Sequence, residues 1–379
     1  MKIEQKRWTA LRGWQTISEP LSDSAAQLVL VFGGRAQLEN SDRFFEIKKM
    51  YPHARILLNT TSGEILDTRV TDDTLALTAV YFQKTSLHFS SVTMSECGDS
   101  HIAGLKLAEK LPADGLVHVF VISDGQMVNG TELINGMTAK LPPQVAITGG
   151  LAGDGANFSK TLVGIDAPPS EGNLVAVGFY GSHLKVGYGS FGGWDPFGPE
   201  RLITKAEKNI LYELDNHSAL ELYKLYLGDK ADGLPGTALL FPLSIRTPDG
   251  SEAIVRTVLN ISEEDQSMTF AGNMPKGTYA RLMRANFDRL IEGATKAASI
   301  SREPLGASEP ELAILISCVG RKLVLDRQIE KEVDSVRSIF GRKTKLTGFY
   351  SYGEISPGFH AGRCELHNQT MTITTFREE

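Results

Sequence analysis

Apolar and polar positions along the chain repeat one pattern three times. In the first copy the apolar run QLVLVFGGR (27–35) has the length of a strand and ends in glycines. SDRFFEIKKMYP follows, with Phe44, Ile47 and Tyr51 on one helical face and Pro52 stopping the helix. ARILLNTTSGE then predicts a second strand that ends in the turn Ser62-Gly63-Glu64. The plan returns near the C-terminus: ELAILISCVGR (311–321) is a strand, and Ile329, Val333, Val336 and Phe340 fall at helical spacing before Gly341. KLTGFYSYGE supplies the strand that ends in Tyr352-Gly353-Glu354. A looser copy lies between them, from LVHVFVISDG (116–125) to QVAITGGLAGDG (144–155), with Asn129 and Glu132 spaced as a capping box. Here glycines and Asp154 replace the Gly-Glu pair.

The intervening segments predict antiparallel additions. GFYGSHLKVGYGSFGGWDPFGPE (178–200) contains a formal GxGxxG from Gly187 to Gly192, but Pro196 and Pro199 prevent a helix from following, which excludes a dinucleotide site. Two strands with loops that pack Trp194 and Phe197 fit better. ERLITKAEKNILYELDNHSALELYKLYLGD (200–229) predicts a strand pair followed by a helix on which Leu220, Tyr223 and Leu227 share a face. IVRTVLNISEEDQSMTF predicts a hairpin turning at Glu263, Glu264 and Asp265. Met283, Phe287, Leu290, Ile291 and Ala294 mark a long amphipathic helix. The expected fold is α/β: two related, pseudo-symmetric domains of repeated strand-helix-strand units with mixed sheets and antiparallel additions. The expected division is an N-terminal extension (1–25), a first domain (26–217) and a second (218–379).

Length and composition narrow the class. A chain of 379 residues exceeds one ordinary core, and 41% hydrophobic with 22% charged residues is a globular balance. A formal charge of −6 spread along the chain offers no basic face to a nucleic-acid backbone. The first residues lack the apolar core of a signal peptide and no run is long enough to span a membrane, so the expected location is cytoplasmic. Cys97, Cys318 and Cys364 are far apart and form no CxxC pair, as expected of reduced thiols.

The repeated turns are the first candidates for chemistry. In strand-helix-strand units the carboxyl ends of parallel strands gather at one rim, where ligands bind. Ser62, Gly63, Glu64, Asp154, Tyr352, Gly353 and Glu354 would line it, small residues allowing close approach and carboxylates accepting hydrogen bonds. The structural reading carries equal weight: positive-φ glycines in tight turns, with glutamates capping local amides. Cys318 beside Arg321 is either a thiol of lowered pKa or a small apolar filler. His360 and His367 lie near a repeated rim, Cys364 stands three residues before His367, and His183 sits in the glycine-rich stretch. These are candidates for a metal or a haem iron, whereas His118, inside an apolar strand, reads as core. Walker A, HExxH, GxSxG and CxxCH signatures are absent, which argues against an enzyme.

Taken together, TGGLAGDGANFSKT (148–161), ITKAEKNILYELDNHSALELY (203–223), the pair SCVGR (317–321) and GFYSYGEISP, and LHNQTMT (366–372) resemble the FIST family, in its order from about residue 26 onward. The resemblance implies a FIST N domain followed by a FIST C domain and a sensory module for small ligands, amino acids among them. The family's NosP branch binds haem, senses nitric oxide and modulates a separate histidine kinase or cyclic-di-GMP enzyme. Two readings follow. One is a haem-based gas sensor with His183, His360 or His367 as axial ligand. The other is a haem-free module in which Glu64 or Glu354 accepts from the amine of a polar metabolite. Both leave a homodimer open.

Overall fold

The computed structural model describes residues 1–21, 26–246, 253–358 and 364–379. His360 lies outside the described residues.

The chain opens with the antiparallel pair β1 (Lys2–Thr9) and β2 (Gly13–Thr16). The first unit comprises β3 (Leu28–Gly33), the short α1 (Arg35–Leu38), α2 (Asp42–Met50) and β4 (Arg55–Thr60), with β3 and β4 parallel. Phe44, Ile47 and Tyr51 are buried as the helical spacing predicts. The hairpin β5 (Glu64–Leu66) and β6 (Arg69–Thr71) follows, then β7 (Leu75–Tyr81), antiparallel to β3. The second unit begins with β8 (Ser86–Thr93), α3 (Met94–Cys97) and α4 (Ser100–Glu109). It continues through β9 (Leu116–Ser123), α5 (Gly130–Thr138) and β10 (Ala146–Leu151), the two strands again parallel. Asn129 caps α5 by accepting from the amides of Thr131 and Glu132, but Glu132 turns to Asn273 and leaves the expected box half-made. β11 (Val163–Ile165), β12 (Asn173–Tyr180) and β13 (Leu184–Phe191) complete this part, β12 lying antiparallel to β9.

An antiparallel sheet of eight mostly short strands, called the small sheet below, follows. It contains β14 (Asp195–Glu207), β15 (Ile210–Leu214), β16 (His217–Ser218), β17 (Leu243–Arg246), β18 (Ile254–Arg256), β19 (Val258–Ser262), β20 (Ser267–Phe270) and β21 (Tyr279–Arg284). Its own core takes Leu220, Tyr223 and Leu227 from α6 (Ala219–Leu227). The long helix α7 (Phe287–Arg302) begins later than the apolar spacing implies: Met283 belongs to β21 and Phe287 is exposed. The third unit is β22 (Leu312–Cys318), α8 (Val319–Leu325), α9 (Ile329–Phe340) and the parallel β23 (Lys345–Ser351). The hairpin β24 (Gly353–Pro357) and β25 (Cys364–His367) leads to β26 (Met371–Glu378), antiparallel to β22.

The strand after each parallel pair crosses into the next unit's sheet. β5 leaves β4 and pairs with β23, β24 leaves β23 and pairs with β10, and β11 leaves β10 and pairs with β4. The three six-stranded sheets are thus tied in a closed cycle, and the middle copy, looser in sequence, is an equal member. Alternation serves this arrangement: Leu28, Leu30 and Phe32 point into one core with Phe120, Ile122, Ile314, Ile316 and Phe349, while Val29 and Val31 face α2. Residues 1–9, expected as part of an extension, supply β1 to the first sheet, antiparallel to β7.

The glycines of 187–193 have a packing role. A Cβ on Gly187 would sit 1.9 Å from the Ser301 carbonyl, one on Gly189 2.3 Å from that of Ala297, and one on Gly193 2.1 Å from that of Arg289. The stripe lets α7 lie directly against β13, with Trp194 buried beside it; Phe197, expected to pack, is 36% exposed.

Candidate functional site

The three crossover turns meet at one point. The Gly153 amide donates to the Thr60 carbonyl (2.9 Å), that of Ser62 to Tyr350 (2.8 Å) and that of Tyr352 to Leu151 (3.3 Å). The Ser62 hydroxyl (3.0 Å) and the Tyr352 hydroxyl (3.3 Å) both donate to the Gly155 carbonyl. Gly63 takes φ +139°, and Lys322 lies over it, donating to the Ser62 carbonyl at 2.7 Å. Gly353 admits Leu366, whose methyl would lie 2.9 Å from an added Cβ.

The glutamates of these turns are clamps. Glu64 accepts from the Thr61 hydroxyl (2.6 Å) and from the amide (3.0 Å) and hydroxyl (2.7 Å) of Thr74. Glu354 repeats this with the Ser351 hydroxyl (2.6 Å) and the amide (3.2 Å) and hydroxyl (2.9 Å) of Thr370. Each carboxyl pins the residue before the antiparallel third strand, β7 or β26. Both are fully buried, and burial pushes them up to about 7 and about 8 respectively. With three donors each and no solvent access, they do not face a ligand, which corrects the expectation that they accept from an amine. In the middle unit the clamp comes from Asp124, which accepts from Gly172, Gln126 and Met127. Asp154 instead pairs with Arg35 at 3.1 Å and accepts from Ser159 and Lys160.

Arg321 and Cys318 are also structural. Arg321 is buried and donates to Glu332 through Nε (2.7 Å) and to the Leu290 carbonyl (2.7 Å), with further bonds to the carbonyls of Gly192 and Gln369. Burial pushes the Cys318 thiol up to about 12 despite its cationic neighbour, so the lowered-pKa reading fails. Cys364 exchanges hydrogen bonds with the Ile147 backbone, and among the described residues no three metal-ligating side chains cluster. His118 is core, hydrogen-bonded to Thr148 (2.8 Å) and pushed down to about 3 by burial. His183 is exposed between β12 and β13, at the end of those strands away from the rim.

His367 differs from the others. It lines a cavity of about 590 Å³ between the rim, the small sheet and α7. Its apolar walls include Phe191, Trp194 and Met283, and Arg289, Lys296, Glu292 and Glu365 add charge of both signs. Lys296 lies 4.8 Å from the Phe191 ring centroid and 3.4 Å from Glu292, while Arg289 pairs with Asp195. His367 Nε2 is 3.1 Å from the Ser356 carbonyl, which requires the proton there, and burial pushes the imidazole down to about 4, keeping Nδ1 unprotonated. Thr370 lines the same cavity while holding Glu354, so its floor is bonded to the central turns. Asn368 and Gln369 are buried; Gln369 donates to the Leu239 carbonyl and to Thr257, fastening the small sheet to the rim.

Thr61, Thr74 and Thr370 escape a search for Ser-x-Gly-Glu likeness. The visible signal is a hydroxyl three residues before each glutamate, Thr61 and Ser351, which makes Ser62 the counterpart of Tyr352.

A three-sheet α/β core thus carries a charged cavity beside a fully engaged set of rim carboxylates. The FIST N domain matches residues 27–217 and the FIST C domain residues 219–357, and the chain belongs to the FIST family. FIST domains are sensory domains implicated in small-ligand signalling. No curated protein sequence matches the chain. A crystal structure of cyanuric acid hydrolase from A. caulinodans overlays with a TM-score of 0.39 at 6% identity, covering 95% of this chain and 92% of that one, a likeness too low to bear on function. Among the described residues no helix is long and apolar enough to cross a membrane.

Proposed function

We propose that this protein is a cytoplasmic sensor whose ligand is a small zwitterion, such as an amino acid, bound in the His367 cavity. The observation that carries the reading is the lining: Arg289 and Lys296 stand with Glu292 and Glu365 around aromatic walls, in a volume of the size that small-molecule sites have. A ligand with a carboxylate and an ammonium meets opposite charges there, and its apolar part lies against Phe191 and Trp194. The Thr370–Glu354 bond carries occupancy of the cavity to the turns that tie the sheets, and the output passes to a separate signalling protein such as a histidine kinase or a cyclic-di-GMP enzyme.

A thermal-shift screen of the twenty amino acids tests this. A binder present at 100 times its Kd stabilises the fold by about 2.7 kcal/mol, a shift of several degrees. Arg289→Ala and Lys296→Ala should remove the shift. The absence of any shift across the set overturns the reading.

The tautomer of His367 favours a second reading, haem. A ligating histidine commonly donates its other ring N–H to a backbone carbonyl, as His367 does to Ser356. His367 would hold the iron and Arg289 and Lys296 would pair with its propionates; bound haem would supply a coordination position open to nitric oxide. A sharp Soret band on adding haemin, absent in His367→Ala, supports this reading, and an unaltered band in the variant removes it.

A further inference from the structure

A second cavity of about 460 Å³ opens on the same rim, between the carboxyl ends of β9 and β10 and the small sheet. Its walls come from Gly125, Gln126, Phe158 and Tyr352 on one side and Asn209 and Asn260 on the other. Among the described residues no charged side chain lines it, in contrast to the first cavity. A charged ligand would lose water here and gain no counter-charge, so the lining selects against it.

What the walls offer is amide and aromatic surface. Phe158 and Tyr352 stack with centroids 4.5 Å apart and planes inclined by 14°. Phe158 is held at φ +50°, sparsely populated for a bulky residue, and the Tyr352 hydroxyl accepts its amide at 3.1 Å. Backbone strain of this kind persists where surrounding contacts fix a side chain in place, here as one face of the cavity. Three amides retain unused groups among the described residues. Gln126 makes no side-chain hydrogen bond, Asn209 donates to the Phe270 carbonyl with its oxygen left over, and Asn260 accepts from Ile261 with its NH₂ left over. Carboxamides present donor and acceptor side by side, which matches a ligand edge that does the same. We infer that this cavity is a second binding site, for an uncharged, flat molecule with an amide-like edge, such as a lactam or a carboxamide ring. It is independent of the ligand proposed for the first cavity.

Nicotinamide and uracil serve as probes, with nicotinate as the charged counterpart of the first. Saturation-transfer NMR on the full chain should show saturable binding of at least one neutral probe below about 10 mM, the range open to a ring fragment of this size. Nicotinate should bind at least about tenfold more weakly than nicotinamide. Gln126→Leu, at an exposed position that leaves folding unperturbed, and Phe158→Leu should each weaken the neutral probe, while Arg289→Ala in the first cavity should leave it unchanged. Equal binding of nicotinamide and nicotinate, no saturable signal from either neutral probe, or loss in Arg289→Ala but not in Gln126→Leu overturns the inference. Because Arg289→Ala disables only the first site, failure here is distinguishable from failure of the zwitterion reading.

Discussion

Replacing Glu64 by glutamine isolates a proton held inside the fold. The Glu64 carboxyl is fully buried, and burial pushes it up to about 7 from 4.5 although Thr61 and Thr74 donate to it. The folded chain therefore binds a proton that the unfolded chain releases above pH 4.5. The stabilisation is fully present below pH 4.5 and is lost as the pH rises through about 7. An interval of about 2.5 pH units at about 1.36 kcal/mol each sets the loss at roughly 3 kcal/mol. Glutamine has the shape of the protonated acid: its NH₂ can donate to Thr61 and its oxygen can accept from Thr74, so this loss disappears. Urea denaturation of both proteins from pH 4.5 to 8 reads the difference. Glu64→Gln should lie within about 1 kcal/mol of the parent at pH 5 and gain about 3 kcal/mol relative to it by pH 8. Parallel profiles would mean that the buried carboxyl is ionised throughout, and the clamp would have to be described as a charged one. Glu64→Ala, by contrast, leaves three buried donors unmet and should cost about 3 kcal/mol or more at every pH.

Other parts of the account are tested as directly. Glu332→Gln leaves Arg321 buried with only carbonyl partners and should destabilise by about 3–5 kcal/mol in denaturant, with Arg321→Met/Glu332→Leu recovering most of it. Gly189→Ala drives a methyl into the Ala297 carbonyl and should lower stability by about 1–3 kcal/mol by separating α7 from β13. Cys318 is fully buried with its thiol pushed up to about 12, so iodoacetamide at pH 8 should label it only after unfolding, as peptide mass mapping would show.

Elements with a strong period are the ones that sequence reveals. The faces of α2 and α9 are set by residues that must be buried, and Phe44, Ile47, Val333, Val336 and Phe340 all are. The crossovers are invisible in the same way that long-range strand pairing always is: nothing local says that β5 joins β23 rather than β4. The Gly-Glu turns stand out as motifs, yet their role depends on Thr74 and Thr370, which are distant in sequence and sit before strands that no local signal links to them. The glycines of 187–193 read as strand and loop positions, but nothing local says that α7, a hundred residues later, rests on them. His367 is visible as a histidine, but the cavity that sets it apart is assembled from β13, α7 and the small sheet.

The most direct measurement uses Trp194, one of three tryptophans and the one that lines the His367 cavity. In the Trp8→Phe/Trp14→Phe variant its fluorescence reports on that cavity alone. Titration with each of the twenty amino acids, and with haemin, should give a saturable change for at least one of them, abolished by Lys296→Ala for an amino acid or by His367→Ala for haemin. Emission unchanged by all of them would contradict a ligand in this cavity.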